Sequence, residues 1–137
     1  MAHCFDLRVY YEDTDMAGIV YYANYLRYIE RARSDWVRGL GVDQAALRDG
    51  GLVFAVRRVV ADYLAPAHFD ELLNVRTAVQ SITPARAVLD QQVWRGDQCL
   101  FTAQVTIVCL NAAGRAVRLP AKLRLGAGNP APGAALG

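Results

Sequence analysis

The chain has 137 residues, of which 54% are hydrophobic and 20% charged, and its formal net charge is +2. This length and composition are typical of one globular domain with a sizeable core. Because the net charge is small and the basic residues are scattered among acidic ones, the sequence argues against a nucleic-acid-binding protein.

No stretch approaches the roughly 20 apolar residues of a membrane span, and the first residues lack the pattern of a signal peptide. The three cysteines, Cys4, Cys99 and Cys109, are odd in number and have no C-x-x-C spacing. Cys99 and Cys109 lie in predicted strands, where thiols of this kind are typical of small core residues. We therefore predict no integral membrane segment and a location in the reducing cytoplasm.

Metal binding is not predicted. The two histidines, His3 and His68, lie far apart in the sequence and neither is close to a cysteine cluster. Glu12, Asp13 and Asp15 offer oxygen ligands for a hard cation as a weaker alternative, since no further ligand pattern follows them.

The first pattern in the chain has a period of two. Apolar or aromatic residues recur at Phe5, Leu7, Val9 and Tyr11, which predicts a half-buried strand. We expect this strand to end in the acidic stretch 12–15, which has good turn chemistry. Gly18 would then allow a positive φ or the close approach of another group to the backbone.

The period then changes to that of a helix with one apolar stripe and a charged back. The glycines at 39 and 41 are natural stop signals. The stripe consists of Tyr22, Tyr25, Leu26, Ile29, Ala32, Trp36, Val37 and Leu40.

The rest of the chain is rich in β-forming segments separated by turn residues. One short helix is predicted, over residues 42–49, and a structureless tail of Gly, Ala and Pro over 126–137. The strands are predicted at 52–64, 71–81, 85–94, 99–110 and 116–119. Because a single apolar helix stripe must be covered, the pattern predicts an α+β domain over 1–125, with one long helix against an antiparallel sheet.

Asp15 lies ahead of the predicted helix start, and two interpretations are open. An aspartate in this position is most often an N-cap or an Asx-turn residue. Alternatively, its carboxylate and the unpaired N–H groups of the helix terminus could face one cavity. Such a pair suits acyl transfer, because the donors polarise a carbonyl group. The carboxylate then either attacks this carbonyl or activates the water that attacks it.

The stretch from Tyr10 to Arg33 reads YYEDTDMAGIVYYANYLRYIERAR. It resembles the signature of the 4-hydroxybenzoyl-CoA thioesterase family of the hotdog superfamily, and most of all the Tol–Pal-associated acyl-CoA thioesterases. The similarity continues in FAVRRVVADYLAPAHFDELLNVRT at 54–77 and in VTIVCLN at 105–111. It therefore covers nearly all of the chain except the last dozen residues.

The resemblance implies roles for individual residues. Asp15 matches the family's essential carboxylate, which acts as nucleophile or as general base for water. Tyr22 matches the helix-start residue whose N–H meets the thioester carbonyl, and Tyr11, Gly18 and Val20 match substrate-contacting positions around it. Many Tol–Pal-associated members have histidine where this chain has Tyr22, so the resemblance does not imply histidine-assisted catalysis here.

Arginines are candidates for contact with the phosphates of coenzyme A. Arg57 and Arg58 are adjacent in a predicted strand, so they are expected on opposite faces, and only one of them would meet the substrate. Arg86 follows a proline near a strand start, where related enzymes place basic residues. For each arginine the alternative is an ordinary solvated charge.

The resemblance further implies a hotdog fold, in which a curved antiparallel sheet wraps one long central helix, and a homodimer or homotetramer with its sites between subunits. The implied activity is hydrolysis of acyl-CoA to free acid and coenzyme A without a cofactor. A non-catalytic acyl-CoA-binding or scaffold protein, linked to envelope or lipid-synthesis proteins, is the alternative. A hydratase ranks last, because His3 and His68 have no matching context.

Overall fold

The computed structural model describes residues 2–127, so residues 128–137 of the predicted tail lie outside the described part. Three helices are present there: α1 Asn24–Gly39, α2 Gln44–Asp49 and α3 Ala121–Ala127. The strands are β1 His3–Arg8, β2 Val53–Tyr63, β3 Leu72–Ile82, β4 Ala87–Arg95, β5 Gln98–Leu110 and β6 Ala116–Val117. The five long strands agree with the predicted ones to within a few residues. The predicted division at residue 125 stays a prediction, and Gly126 and Ala127 belong to α3.

The six strands form one antiparallel sheet with the order β1-β3-β4-β5-β2, and β6 pairs with β5. The buried residues of β4 and β5 alternate with less buried ones, so one face of the sheet carries the core. β2 bonds only to β5 and is an edge strand within residues 2–127.

Helix α1 packs on the core face and contacts β1, β3 and β4. Most of the predicted stripe is buried, but two of its members are not, since Tyr22 precedes the helix and Leu26 is largely exposed. Tyr28, which was not part of the predicted stripe, is fully buried. The helix begins two residues later than the pattern suggested, and its buried face includes Asn24 and Tyr28 beside the predicted stripe.

A buried polar group ties α1 to the sheet. Gln91 of β4 donates from Nε2 to the Ile29 carbonyl and to the Thr77 hydroxyl, both at 2.9 Å. Its Oε1 accepts a hydrogen bond from Arg33 at 3.0 Å. Burial lowers the pKa of Arg33. Because unpaired buried polar groups are costly, this network favours a single position of the helix on the sheet.

The predicted first strand ends earlier than its period suggested. β1 stops at Arg8, Val9 is buried, and residues Tyr11–Asp13 form a 3-10 turn. Because the turn breaks the alternation, Tyr11 does not continue the buried face and is largely exposed.

Helix α3 was not predicted. The sequence analysis ended the last strand at Pro120, but proline is also favoured in the first turn of a helix, where its missing N–H costs nothing. α3 begins directly after Pro120 and buries Leu123. At Gly126 an added Cβ would lie 3.3 Å from a Leu40 side-chain atom, so α3 packs against the end of α1.

The strand that carries the adjacent arginines contains a β-bulge. Val56 pairs with Ile107 but Arg58 pairs with Thr106, so Arg57 is the extra residue. The expectation that Arg57 and Arg58 simply alternate between faces is therefore wrong. No helix in the described part of the chain is long and apolar enough to span a membrane.

We expect Leu123→Ala to lower the free energy of unfolding by roughly 2 to 5 kcal/mol, because a 1% exposed leucine leaves a cavity when it is truncated. Leu125→Ala is the matched control on the same helix, since Leu125 is 79% exposed and should change stability by less than about 0.5 kcal/mol. Chemical denaturation measures both. Equal effects of the two substitutions would contradict the packing of α3.

Candidate active site

The acidic loop, which contains the acidic stretch 12–15, is held in place by Asp13, which is buried. Its Oδ2 accepts a hydrogen bond from the Tyr10 N–H at 2.9 Å. Its backbone carbonyl accepts from the Tyr21 N–H at 2.9 Å and from Asn24 Nδ2 at 2.8 Å. One residue thus joins the end of the first strand, the far arm of the loop and the first residue of α1.

Below this loop lies the hydroxyl of Tyr28. The side chain is fully buried, and its hydroxyl lies beside the Asp13 carboxylate. Burial and, after it, the charge of Asp13 raise the pKa of Tyr28 above its ordinary value. The phenol is therefore neutral at physiological pH and can serve as a donor beside the Asp13 carboxylate.

Asp15 heads the exposed turn of the same loop. Its N–H donates to the Ile19 carbonyl at 2.9 Å, and its Oδ1 accepts from the Ala17 N–H at 2.9 Å. Asp15 is thus an Asx-turn residue and not the N-cap of α1, which begins nine residues later at Asn24. The carboxylate itself is solvent-accessible, and its Oδ2 makes no hydrogen bond to the described residues.

Gly18 and Val20 complete the turn. Gly18 has φ of +79°, and its N–H donates to the Asp15 carbonyl at 3.0 Å. No heavy atom lies within 4 Å of the position that a Cβ atom would occupy. Glycine is therefore favoured here by the positive φ and not by a close neighbour. The side chain of Val20 lies in the core, and its N–H donates to the Ala67 carbonyl at 2.8 Å.

The start of α1 offers unpaired donors. Asn24 N–H is bonded to the Tyr21 carbonyl at 2.8 Å, but the N–H groups of Tyr22 and Ala23 have no acceptor in the described part of the chain. The positive end of the helix dipole is also located here. These amides can therefore stabilise a negative oxygen.

Aromatic rings surround the loop and the helix start. The Tyr11 ring meets Phe69 edge to face at 6.2 Å, and Tyr22 meets Tyr63 at 6.2 Å. The Tyr63 hydroxyl donates to the Tyr22 carbonyl at 2.9 Å. The rings of Tyr11, Phe69, Tyr22 and Tyr63 remain largely exposed.

The segment between β2 and β3 supports this arrangement. Its Ala67 N–H donates to the buried Tyr25 hydroxyl at 3.0 Å. Glu71 accepts from the His68 N–H at 2.6 Å and from Arg95 at 2.8 Å, and the same Arg95 nitrogen donates to the Pro66 carbonyl at 3.1 Å. Desolvation pushes the pKa of Glu71 upward, but the bonds and charges of His68 and Arg95 outweigh it and lower the pKa.

The candidate phosphate-binding arginines lie elsewhere. Arg86 is in the exposed turn between β3 and β4, and Arg57 is near the start of β2. The sheet register places both at the end opposite to Tyr63. From Arg57 to Tyr63 the strand spans about 20 Å at the usual rise per residue. The structure therefore does not bring Arg57 or Arg86 to Asp15 within one chain.

A cavity of about 170 Å³ also lies at the arginine end, between α1 and the start of β2. Trp36, Val37, Phe54, Ile107 and Leu123 form its apolar wall, and Glu30 and Arg33 reach its rim. No group of three metal-ligating side chains is found within residues 2–127, including the acidic loop.

Three residues of this site have little or no signal in the sequence. Asp13 was seen only as part of an acidic stretch, and Asn24 and Tyr63 were not singled out. Asn24 has only a weak signal in the sequence, because it is a single amide side chain among aromatic residues at the helix start. Tyr63 has none, because its partner, the Tyr22 carbonyl, is 41 residues away.

The loop thus carries an exposed carboxylate on a tight turn, and free amides follow at the helix start. The model of the thioesterase-like superfamily matches residues 9–125, and the chain belongs to this superfamily.

Relatives of known name agree with this assignment. The chain is 39% identical over 108 residues to the acyl-CoA thioesterase YbgC of Haemophilus influenzae, covering 78% of this chain and 79% of that protein. It is 37% identical over 106 residues to the acyl-CoA thioester hydrolase YbgC of Escherichia coli O157:H7, covering 77% and 79%.

Solved structures share the fold. A probable thioesterase from Bartonella henselae superimposes with a TM-score of 0.84 and 37% identity, covering 88% of this chain and 100% of that one. A 1,4-dihydroxy-2-naphthoyl-CoA thioesterase from Synechocystis has a TM-score of 0.85 over 93% of this chain and 96% of that one, at 23% identity, which supports the fold alone. The predicted hotdog fold is confirmed by these neighbours.

We expect Glu71→Gln to lower the melting temperature at pH 7, because the ion pair with Arg95 is lost, at a cost of up to about 1 kcal/mol. The folded-state pKa of Glu71 is below its ordinary 4.5, so its stabilisation is complete above pH 4.5 and is lost as the pH falls through the folded-state pKa. The difference between variant and wild type should therefore vanish in acid.

Thermal melts between pH 7 and pH 3 measure this. Asp97→Asn removes one negative charge from an exposed turn and controls for net charge. A Glu71 effect that is independent of pH would rule out the ionic origin.

Proposed function

We propose that this protein is an acyl-CoA thioesterase, which hydrolyses acyl-CoA to the free acid and coenzyme A. The observation that carries the proposal is the pairing of the Asp15 carboxylate, exposed at the head of its turn, with the unbonded N–H groups of Tyr22 and Ala23. The names of the relatives supply the substrate class.

The chemistry follows from these groups. The helix-start amides donate hydrogen bonds to the thioester oxygen and stabilise the negative charge that develops on it. Asp15 then acts in one of two ways. As nucleophile, its carboxylate oxygen attacks the carbonyl carbon, the coenzyme A thiolate leaves, and water cleaves the mixed anhydride. As general base, it takes a proton from water that attacks directly. Neither route uses a cofactor.

Two surrounding residues would contact the substrate, and a third would support them. The exposed Tyr11 ring flanks the turn, the open space at Gly18 leaves its backbone accessible, and Val20 holds the turn to the core. These roles rest on the family resemblance together with the position of each residue around Asp15.

The remaining parts of the site come from a second subunit in this proposal. The cavity beside α1, Arg57 and Arg86 lie at one end of the sheet, whereas Asp15 and Tyr22 lie at the other. Antiparallel pairing of two β2 edges would place the start of one β2 beside the end of the other. Arg57 and Arg86 at the partner's arginine end would then meet the coenzyme A phosphates.

The β2 strand has the properties of such an interface. Its free edge needs a partner or a cover. Val56, Val59 and Tyr63 point to the core face of the sheet, yet they are 47%, 39% and 48% exposed. Pairing through β2 would also make α1 the central helix of a continuous, curved sheet. We therefore propose a homodimer as the unit, and a homotetramer would be a pair of such dimers.

The three cysteines are unpaired, which suits the reducing cytoplasm in which we propose that the protein works. Contact with envelope or lipid-synthesis proteins stays a prediction of the family resemblance.

We expect Asp15→Asn to lower kcat by roughly 10²- to 10⁴-fold while acyl-CoA binding is kept. The amide oxygen can still accept from the Ala17 N–H, so the turn should persist. Thiol release from short, long and aromatic acyl-CoA substrates measures turnover. Glu12→Gln is the matched control, because this exposed carboxylate lies in the same loop and makes no hydrogen bond among the described residues.

The outcomes separate the two functions. Loss of turnover in Asp15→Asn alone supports the thioesterase. Binding without turnover by the wild type across the whole panel would instead support the acyl-CoA-binding or scaffold protein. Mass spectrometry of the Asp15 peptide from a reaction quenched before the steady state distinguishes nucleophile from general base, since only the nucleophile carries the acyl group as a mixed anhydride.

We expect Val59→Lys to weaken the dimer by at least about 100-fold, because pairing would bury an uncompensated charge on the core face. Val53→Lys is the control on the same strand, since Val53 is 43% exposed and its register with Leu110 places it on the face of the sheet opposite to the core. Light scattering and activity are measured together. A fully active Val59→Lys monomer at micromolar concentration would sink the two-subunit site.

A further inference from the structure

Two adjacent peptide groups carry the unbonded amides at the start of α1. In a planar trans peptide the C=O and the following N–H point in opposite directions. The direction of each free N–H is therefore fixed by whatever holds the carbonyl of the same peptide. For the Tyr22 N–H this is the Tyr21 carbonyl, which accepts from the Asn24 backbone N–H at 2.8 Å.

The Ala23 N–H is held differently. Its peptide contains the Tyr22 carbonyl, and the group bonded to that carbonyl is the Tyr63 hydroxyl, at 2.9 Å. A side chain from β2 therefore holds this peptide, whereas the preceding peptide is held by the main chain. The bond also withdraws electron density from the carbonyl and strengthens the opposite N–H as a donor.

The Tyr63 ring is kept in place by its neighbours. It packs edge to face on Phe101 at 4.9 Å and on Tyr25 at 5.5 Å, in addition to its contact with Tyr22. Desolvation, followed by the proximity of Tyr22, raises the pKa of Tyr63, so the hydroxyl keeps its proton and acts as the donor at neutral pH. The hydroxyl thus reaches the Tyr22 carbonyl from a fixed ring.

We propose that Tyr63 is a positioning residue for the hydrolysis: through the Tyr22 carbonyl it aims and polarises the Ala23 N–H as a second donor to the thioester oxygen. This inference rests on the proposed function and deepens it. Because Tyr63 belongs to the edge strand β2, the same residue would connect the subunit interface with the oxyanion donors.

Tyr63→Phe removes the hydroxyl and keeps the ring. We expect kcat to fall about tenfold, the worth of one hydrogen bond, while KM stays within about twofold. The matched control is Tyr21→Phe, which removes a hydroxyl with no hydrogen bond among residues 2–127 from an exposed ring beside Tyr22. It should leave both constants unchanged. Melting temperature and light scattering establish that fold and assembly are intact.

A second readout does not depend on turnover. Acyl-CoA labelled with ¹³C at the thioester carbonyl is bound to Asp15→Asn, and its carbonyl stretch is measured by isotope-edited infrared spectroscopy. Hydrogen bonding to the oxygen should shift the band below that of free acyl-CoA. In Asp15→Asn/Tyr63→Phe the band should move part of the way back, whereas a purely structural role of Tyr63 would leave it unmoved.

A third variant avoids any loss of folding, because 3-fluorotyrosine at position 63 retains both ring and hydroxyl. Its more acidic phenol is a stronger donor, so the carbonyl band should move further down. Normal turnover with an unmoved band in the Tyr63 variants would overturn the positioning role but leave the thioesterase standing. If the wild type binds acyl-CoA without hydrolysing it, the proposed thioesterase activity is wrong. The shift of the carbonyl band would still decide the role of Tyr63. Absence of binding would overturn both.

Discussion

The geometry of the site depends on the hydrogen bonds of Asp13. Its carboxylate and its carbonyl accept three donors from three segments: the end of the first strand, the second arm of the acidic loop and the first residue of α1. Because these bonds are buried, loss of one would leave an unpaired group at considerable cost. The neighbouring Asp15 can therefore stay exposed on a turn that is well held at its base. One acidic residue of the motif serves structure, and this leaves the other free for chemistry.

The sheet register determines which groups lie at each end of the sheet. One end of the sheet carries the acidic loop, the helix start and the aromatic cluster, and the other carries Arg57, Arg86 and the apolar cavity. A thioester of coenzyme A is long, and its acyl group and its phosphates lie on opposite sides of the reacting carbonyl. Near its carboxylate, one chain holds only half of the surface that such a molecule would require. A twofold assembly would be a simple way to supply the other half from a second subunit.

Periodic patterns predicted most of the fold. Alternation along β3, β4 and β5 and the helical stripe of α1 depend on neighbours in sequence, so they are visible there. The errors have physical causes. The 3-10 turn at Tyr11–Asp13 interrupts an alternation that the residue types alone continue, the bulge at Arg57 depends on pairing with β5, and Pro120 starts α3 as well as ending a strand. Asp15 and Tyr22 could be proposed as site residues from a motif. Asp13 and Tyr63 could not, because their roles consist of contacts between distant segments.

The exposed edge of β2 has a consequence for how the protein is made. From Val59 to Leu64 this edge carries a single charge, at Asp62, and none of the lysines or prolines that usually protect a bare strand. An isolated chain therefore presents unpaired backbone groups along this edge, through which it can aggregate unless the edge is covered. Aggregation accelerates with concentration, so overexpression at high temperature should favour inclusion bodies, whereas slow synthesis in the cold should favour the folded protein.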